Sequence, residues 1–317
     1  MYTSTCKHAT VARAEQREVA ELRVAHHAEW SVWRGLAQLH RGALYPYDSR
    51  VFQPTPLDAV RAYTRETSPL CFTTDIEWAP EWAIRDLFTL ADEHGVPLTP
   101  FLTHRSEYLA SRYGMRDAIS SGDVGLHPNF LPGSTHGSTV DEVIATTKAL
   151  WPNAVSFRSH CFYDDTRMLQ KMAENGFRYD SNLFAFLQPM LAPIRTVAAT
   201  VRLPVFWEDD VHSGNQLPWD AGTLRVAFET PGLKIVNVHP LRVALNVPDE
   251  GFHESHRRLG AAVDVDARAE AFRGKGTRTY LQDLLAYASA GARSPVRLRD
   301  LYAQAVDRGI GALDGPA

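Results

Sequence analysis

The sequence predicts an α/β fold of repeated β/α units around a parallel sheet, preceded by a helical extension, and three observations predict it. From Leu70 onward, short apolar runs alternate with amphipathic stretches, the pattern of buried parallel strands joined by covering helices. The acids and histidines capable of chemistry stand at the C-terminal ends of those apolar runs, where barrels of this class place their active sites. The length of 317 residues accommodates one catalytic barrel of about 250 residues with an extension as readily as two domains.

Taken in order, residues 11–39 alternate acids, bases and apolar residues at a helical period, and residues 45–56, containing Pro and Tyr, read as a connection. Residues 1–66 are therefore assigned to a helical extension, and 67–317 to the barrel domain with covering helices at its C-terminal end. The strand candidates are 70–74, 97–102, 123–126, 154–158, 178–182, 200–206 and 234–239. Helix signals fall between them. Pro80 lies near the first turn of a helix over 80–94 and Gly95 just past its end; Ser138, Thr139 and Asp141 open a second, closed by Leu150-Trp151-Pro152; a third over 165–175 ends at Gly176. Residues 277–307 read as one or two covering helices.

Composition narrows the functional class. Hydrophobic residues at 44% and charged residues at 22% describe an ordinary soluble protein, and a net charge of −4 offers no electrostatic footprint for nucleic acid or an anionic membrane. Small or neutral partners are expected. Cys6, Cys71 and Cys161 are too few and too scattered for a disulfide framework. The charged N-terminal segment lacks the apolar core of a signal peptide, and no window approaches a membrane span, so a cytoplasmic location is expected.

The stretch Thr74-Asp75-Ile76-Glu77-Trp78 places two acids one residue apart directly after the apolar run at 70–72. On an extended chain positions 75 and 77 face the same way, so one acid can hold a cation while the other moves a proton. His127 and His136 flank a loop rich in Pro and Gly. They suit a divalent metal if both rings fold inward; otherwise they are a hydrogen-bonded loop histidine and an exposed one. Arg158, ending the fourth strand, can pair with Asp75 or form an ion pair at the rim. The last strand delivers His239, a candidate general acid or a structural residue. Trp207-Glu208-Asp209-Asp210 feed an aromatic and three acids into the rim. One of these acids can tune His239 by hydrogen bonding, or the segment is a solvated acidic turn.

In their order along the chain, Thr74-Asp75-Ile76-Glu77, His127 with His136, Arg158-Ser159-His160, Trp207-Glu208-Asp209 and Val238-His239-Pro240 resemble the successive motifs of the NodB-homology polysaccharide deacetylases, carbohydrate esterase family 4. The likeness spans about residues 69–240. It implies a distorted (β/α)7 barrel and a divalent metal, zinc being the usual ion, held by an acid and two histidines. By position, Asp75 is implied as the base, Glu77, His127 and His136 as metal ligands, Arg158 as the residue orienting the base, and His239 as the acid that protonates the leaving amine. Trp78, Trp207 and Asp209 are expected to contact substrate.

Two departures are visible. The position four residues after His127 is Leu131, so His136 requires a loop insertion and His160 is the alternative ligand. The usual Arg-x-Pro-Tyr is replaced by Arg158-Ser159-His160-Cys161. The implied reaction is removal of an N-acyl group, N-acetyl above all, from an amino sugar or a sugar-containing biosynthetic intermediate. Hydrolysis of a non-sugar amide and an inactive carbohydrate-binding barrel are the alternatives. The extension is expected to cap the barrel, shape its pocket or mediate homo-oligomerisation.

Overall fold

The structure, a computed structural model, describes residues 55–65, 67–114, 123–261, 267–292 and 295–310. The predicted helix at 11–39 and the connection up to residue 54 lie outside the described residues. Helix α1 (Leu57–Arg65) leads into β1 (Thr67–Asp75), α2 (Glu81–Glu93), β2 (Leu98–Leu102), α3 (Glu107–Tyr113) and β3 (Gly125–Leu126). Next come α4 (Val140–Leu150), β4 (Ser156–Phe157), α5 (Thr166–Glu174), β5 (Tyr179–Asp180), β6 (Ile194–Arg195), β7 (Val201–Arg202) and β8 (Trp207–Glu208). The chain continues through α6 (Asp209–Gly214), α7 (Ala221–Glu229), β9 (Gly232–Val238), α8 (Pro240–Ala244) and α9 (Glu250–His256). It ends with α10 (Ala267–Glu270), α11 (Thr277–Tyr287), β10 (Pro295–Val296) and α12 (Leu298–Asp307).

Strands β9, β1, β2, β3, β4, β5 and β7 pair in parallel in that order, and β8 pairs with the other side of β9. β7 and β8 are the two ends of one segment. Leu203 N–H donates to Asp180 O and Val205 N–H to Leu183 O, both at 2.8 Å, and Phe206 N–H then donates to Ile235 O at 2.8 Å. The segment thus leaves β5 and arrives at β9, completing a distorted (β/α)7 barrel. Pro204 at the crossing has no N–H to give the ladder, so the single strand expected over 200–206 appears as two short ones. β6, which the sequence did not announce, pairs antiparallel with β7 outside the ring.

Alternation along the strands sorts the core. Cys71, Phe101, Tyr179, Val201, Leu203, Val205, Leu233 and Ile235 pack together inside the barrel, whereas Leu70, Phe72, Val236 and Val238 point outward to the helices. Ala59 and Tyr63 of α1 and Leu298, Leu301 and Ala305 of α12 join the inner cluster. They plug the end where the strands begin. Each fully buried aliphatic or aromatic side chain there contributes about 1.5–3 kcal/mol, so the polar inward positions Thr73, Asp75, Asn237 and His239 are left to the opposite, open end.

The helix signals act as expected. Gly95 takes φ +64° after α2 and Gly176 φ +86° after α5. Thr139 and Glu142 form a reciprocal capping box on α4, and Asp165 caps α5. α3 was not anticipated, although Ser106 caps Leu109 N–H and Gly114 ends the helix at φ +62°. Among the described residues no helix is long and apolar enough to cross a membrane.

Candidate active site

Asp75 is the last residue of β1 and points inward, almost completely buried. Ile76 N–H still donates to Phe101 O at 3.1 Å, and Ala79 N–H then closes a turn on Ile76 O at 2.7 Å. The two central residues of that turn, Glu77 and Trp78, have φ of 39° and 56°, the positive pattern of a type I′ turn. Neither is glycine, and each such residue costs about 1–3 kcal/mol. Strand alternation, which ends at Asp75, therefore does not aim Glu77. The strained turn does, held by Trp78 N–H on Thr103 Oγ1 at 3.0 Å.

His127 follows β3, and its N–H donates to Leu102 O at 2.7 Å. Its ring stands between the two acids, Nδ1 3.5 Å from Asp75 Oδ1 and Nε2 3.6 Å from Glu77 Oε1. It is 1% exposed, and neither ring nitrogen has a hydrogen-bond partner. His160 comes from the turn after β4, anchored by its N–H on Pro128 O at 2.9 Å, and its Nδ1 lies 2.8 Å from Glu77 Oε1. The next two residues, Cys161 and Phe162, again have positive φ, 55° and 51°. Glu77 and His160 are thus both presented by strained, non-glycine turns. Ligand atoms of Glu77, His127 and His160 lie within 4.8 Å of one another.

His136, the expected ligand, is not part of this group. The loop after His127 folds back and buries the ring, where Asn129 N–H donates to Nδ1 at 3.0 Å and Nε2–H donates to Thr103 O at 2.8 Å. Both nitrogens are committed, and burial lowers the imidazole's affinity for a further proton. His136 therefore braces the loop, and it is His160 that joins Glu77 and His127 in a group able to hold a metal ion.

Arg158 is fully buried. Its Nη1 donates to Asp75 Oδ1 at 3.0 Å and to Asn237 Oδ1 at 2.6 Å, its Nε to Ser181 O at 3.0 Å, and its Nη2 to Ser181 Oγ at 2.8 Å. Asn237 completes the clasp, its Nδ2 donating to Asp75 Oδ2 at 2.9 Å and to Glu208 Oε1 at 2.6 Å. The amide orientation follows, because a flip would set NH₂ against the guanidinium and a carbonyl against two carboxylates. His239 ends β9's run. Asp209 Oδ1 accepts from its Nδ1 at 2.6 Å and Asp209 Oδ2 from its backbone N–H at 3.0 Å, leaving Nε2 turned toward Glu208 and Glu77, 3.9 and 4.0 Å away.

Electrostatics follow from this crowding. Burial alone would raise the Glu77 carboxyl, but the imidazoles of His239, His127 and His160 hold it well below its usual range. The hydrogen bond to Glu77 raises His160. Burial opposes protonation of His239, yet Asp209 and Glu77 raise it well above an ordinary histidine. Burial, with Asp210 adding to it, pushes the Glu208 carboxyl far up.

Two expected substrate contacts are corrected. Trp207 is fully buried outside the barrel, its Nε1 donating to His212 Nδ1 at 3.1 Å beside Trp219 and Tyr280; on β8 it is Glu208 that alternates inward. Asp209 is also fully buried, and holds His239. Trp78 is 39% exposed and rims the site, 5.4 Å from the His160 ring. Asn237 was missed, although a polar residue interrupting an apolar strand two positions before His239 was a visible signal. Glu208 was seen only as one of three rim acids.

A (β/α)7 barrel carrying this acid-and-histidine cluster at its open end defines a polysaccharide deacetylase-type protein. The chain belongs to the WbmS-like polysaccharide deacetylase family, which it matches over residues 72–257. It is similar to a Bordetella bronchiseptica protein assigned as a polysaccharide deacetylase involved in O-antigen biosynthesis (WbmS), with 31% identity and a TM-score of 0.61 over 69% of this chain and 90% of that one. A Mycobacterium smegmatis protein assigned as a polysaccharide deacetylase aligns at 16% identity and TM-score 0.49 over 80% and 95% of the two chains. The Bc1960 peptidoglycan N-acetylglucosamine deacetylase aligns at 13% and 0.42 over 79% and 98%. No curated protein matches.

Proposed function

We propose that this protein is a metal-dependent hydrolase that removes an N-acyl group, acetyl in the first instance, from an amino sugar or a sugar-containing biosynthetic intermediate in the cytoplasm. The observation that carries the reading is His127, a buried imidazole with both nitrogens unpartnered, lying between two acids and beside a second histidine. A buried polar group left so costs about 1–3 kcal/mol, and a cation on Nε2, shared with Glu77 and His160, would relieve it at that nitrogen. The donor set of one carboxylate and two imidazoles suits zinc. A cation there would also replace the proton that Glu77 now favours on His160.

Glu77, His127 and His160 would hold the ion. When bound, it supplies Lewis acidity to the acyl oxygen and to the attacking water. Asp75 accepts the proton of that water, its two oxygens fixed by Arg158 and Asn237 with lone pairs to spare. The water oxygen bonds to the acyl carbon, the carbon–nitrogen bond breaks, and His239 Nε2–H gives its proton to the departing nitrogen. Asp209 on Nδ1 keeps that imidazole protonated and aimed. Trp78 offers a partly exposed aromatic face on which a sugar ring can rest. The assignment of the B. bronchiseptica relative to O-antigen biosynthesis supports a precursor of a surface polysaccharide as the substrate.

Metal content and acetate release from a panel of N-acetylated sugars and sugar nucleotides test the reading together. His160→Ala should lose the metal, whereas His136→Ala should keep it. Asp75→Asn should keep the metal and lose at least about a hundredfold in turnover, as expected for a lost general base. Metal-free protein with full activity, or Asp75→Asn at the wild-type rate, would overturn it.

A further inference from the structure

We propose that Asp75, Glu208 and His239 form a second, weaker divalent-cation site beside the first, and that a cation bound there blocks the reaction, so that excess metal inhibits the enzyme. The proposal rests on the functional reading above only for its consequence. The site itself follows from geometry.

Ligand atoms of Asp75, Glu208 and His239 lie within 4.8 Å of one another, and all three residues are buried. Asn237 Nδ2 holds one oxygen of each carboxylate, at 2.9 and 2.6 Å, so the two acids are preset side by side. His239 is 7% exposed, and Asp209 occupies its Nδ1 at 2.6 Å. Its other nitrogen is therefore aimed at Glu208, 3.9 Å away, without a hydrogen-bond partner of its own. A carboxylate on the far nitrogen is how ligating histidines are oriented and made more basic. Glu77 Oε1 stands between the two groups, 3.6 Å from His127 Nε2 and 4.0 Å from His239 Nε2, and can contribute to either. The nearby grouping of Asp209, Asp210 and His239 is accounted for by the Asp209–His239 hydrogen bond.

Charge favours a cation here and also limits its affinity. The buried Asp75, Glu208 and Asp209 crowd one rim with the part-buried Glu77 and Asp210, and the guanidinium directly on it is Arg158, 3.0 Å from Asp75. Buried like charges need a counter-charge or protons. Arg158 and an ion already in the first site both repel a newcomer. To reach the roughly 3.4 Å edge of a tetrahedral zinc shell, His239 Nε2 and Glu208 Oε1, 3.9 Å apart, must contract further than His127 Nε2 and Glu77 Oε1, 3.6 Å apart. An ion in the second site would occupy Asp75 and His239 Nε2, the groups proposed to take and give the proton.

Equilibrium titration of the metal-stripped full chain with Zn²⁺ alone tests this. Two equivalents are expected, the second more than about tenfold weaker than the first. Glu208→Gln, which keeps an acceptor for Asn237, should retain the tight equivalent and lose the weak one, and inhibition by excess Zn²⁺ should disappear with it. His127→Ala should do the reverse in binding. If Glu208→Gln does not fold by circular dichroism, His239→Gln serves in the titration. A single equivalent up to millimolar Zn²⁺, or a second equivalent that survives these substitutions, overturns the second site and leaves the first reading standing. No bound equivalent at all overturns both.

Discussion

Replacing Arg158 with Met should destabilise the barrel far more than a typical substitution, because the guanidinium is the hub on which Asp75 is mounted. Five acceptor atoms lose donors at once: Thr73 Oγ1, Asp75 Oδ1, Asn237 Oδ1, Ser181 O and Ser181 Oγ, all within 3.1 Å of the guanidinium nitrogens. Removing one member of a fully buried charge pair costs about 3–5 kcal/mol, chiefly through the partner left uncompensated. Against a whole-domain stability of about 5–15 kcal/mol, the variant should still fold, with a Tm lower by about 6–20 °C at 2–4 °C per kcal/mol. Arg158→Lys keeps the charge but not the fork and should fall between. The cause is isolated by a double-mutant cycle with Asp75→Asn, read by urea denaturation. With no carboxylate to strand, the Arg158→Met penalty should shrink by about 2 kcal/mol. Penalties that add within about 0.5 kcal/mol would mean that Asp75 and Arg158 are not energetically coupled, and the mounting proposed for the base would be wrong.

Two further outcomes follow from the same structure. Trp207→Ala should cost about 3–5 kcal/mol of stability and leave KM unchanged, while Trp78→Ala should raise KM with no shift in Tm; the reverse pattern would restore Trp207 as a substrate contact. His212 is fully buried against Trp207, Trp219 and Tyr280, and burial pushes its pKa down to about 4. Because the unfolded chain takes up that proton near pH 6.5 and the folded one only near 4, its contribution to stability is complete above 6.5. It is lost as pH falls from 6.5 to 4, by up to about 3 kcal/mol. His212→Gln, which retains an acceptor for Trp207, should flatten the urea midpoint over that window; an unchanged pH dependence would remove His212 as its source.

Much of the fold was legible because its signals are local. The apolar runs marked the seven ring positions, and Pro80, Gly95, Thr139 and Asp165 marked helix ends by the backbone groups they satisfy or free. What escaped was non-local or weakly periodic. β6 forms only because β7 offers it an edge, and the split of β7 from β8 depends on which neighbour each half meets across Pro204. The short α3 had both its caps in plain view.

The site was legible in its residue types more than in their arrangement. Spacing could nominate His136 and could not show that the loop turns its ring onto Thr103 O and Asn129 N–H, because loop closure depends on those distant partners. The same limit explains Trp207, whose side of the ring is decided by where β8 joins β9. Glu77 is the more instructive case: alternation reached a residue that does converge with Asp75 and His127, but by a rule that stops one residue too early. Two consecutive left-handed residues, neither of them glycine, turn its carboxylate toward the histidines. Backbone strain of this kind persists only when the surrounding contacts over-determine it, and here those contacts are Trp78 N–H on Thr103 Oγ1 and the His160 imidazole on Glu77 itself. The Glu77 turn and the turn after His160 therefore support each other across the open end of the barrel, so loss of either side chain should loosen the other turn.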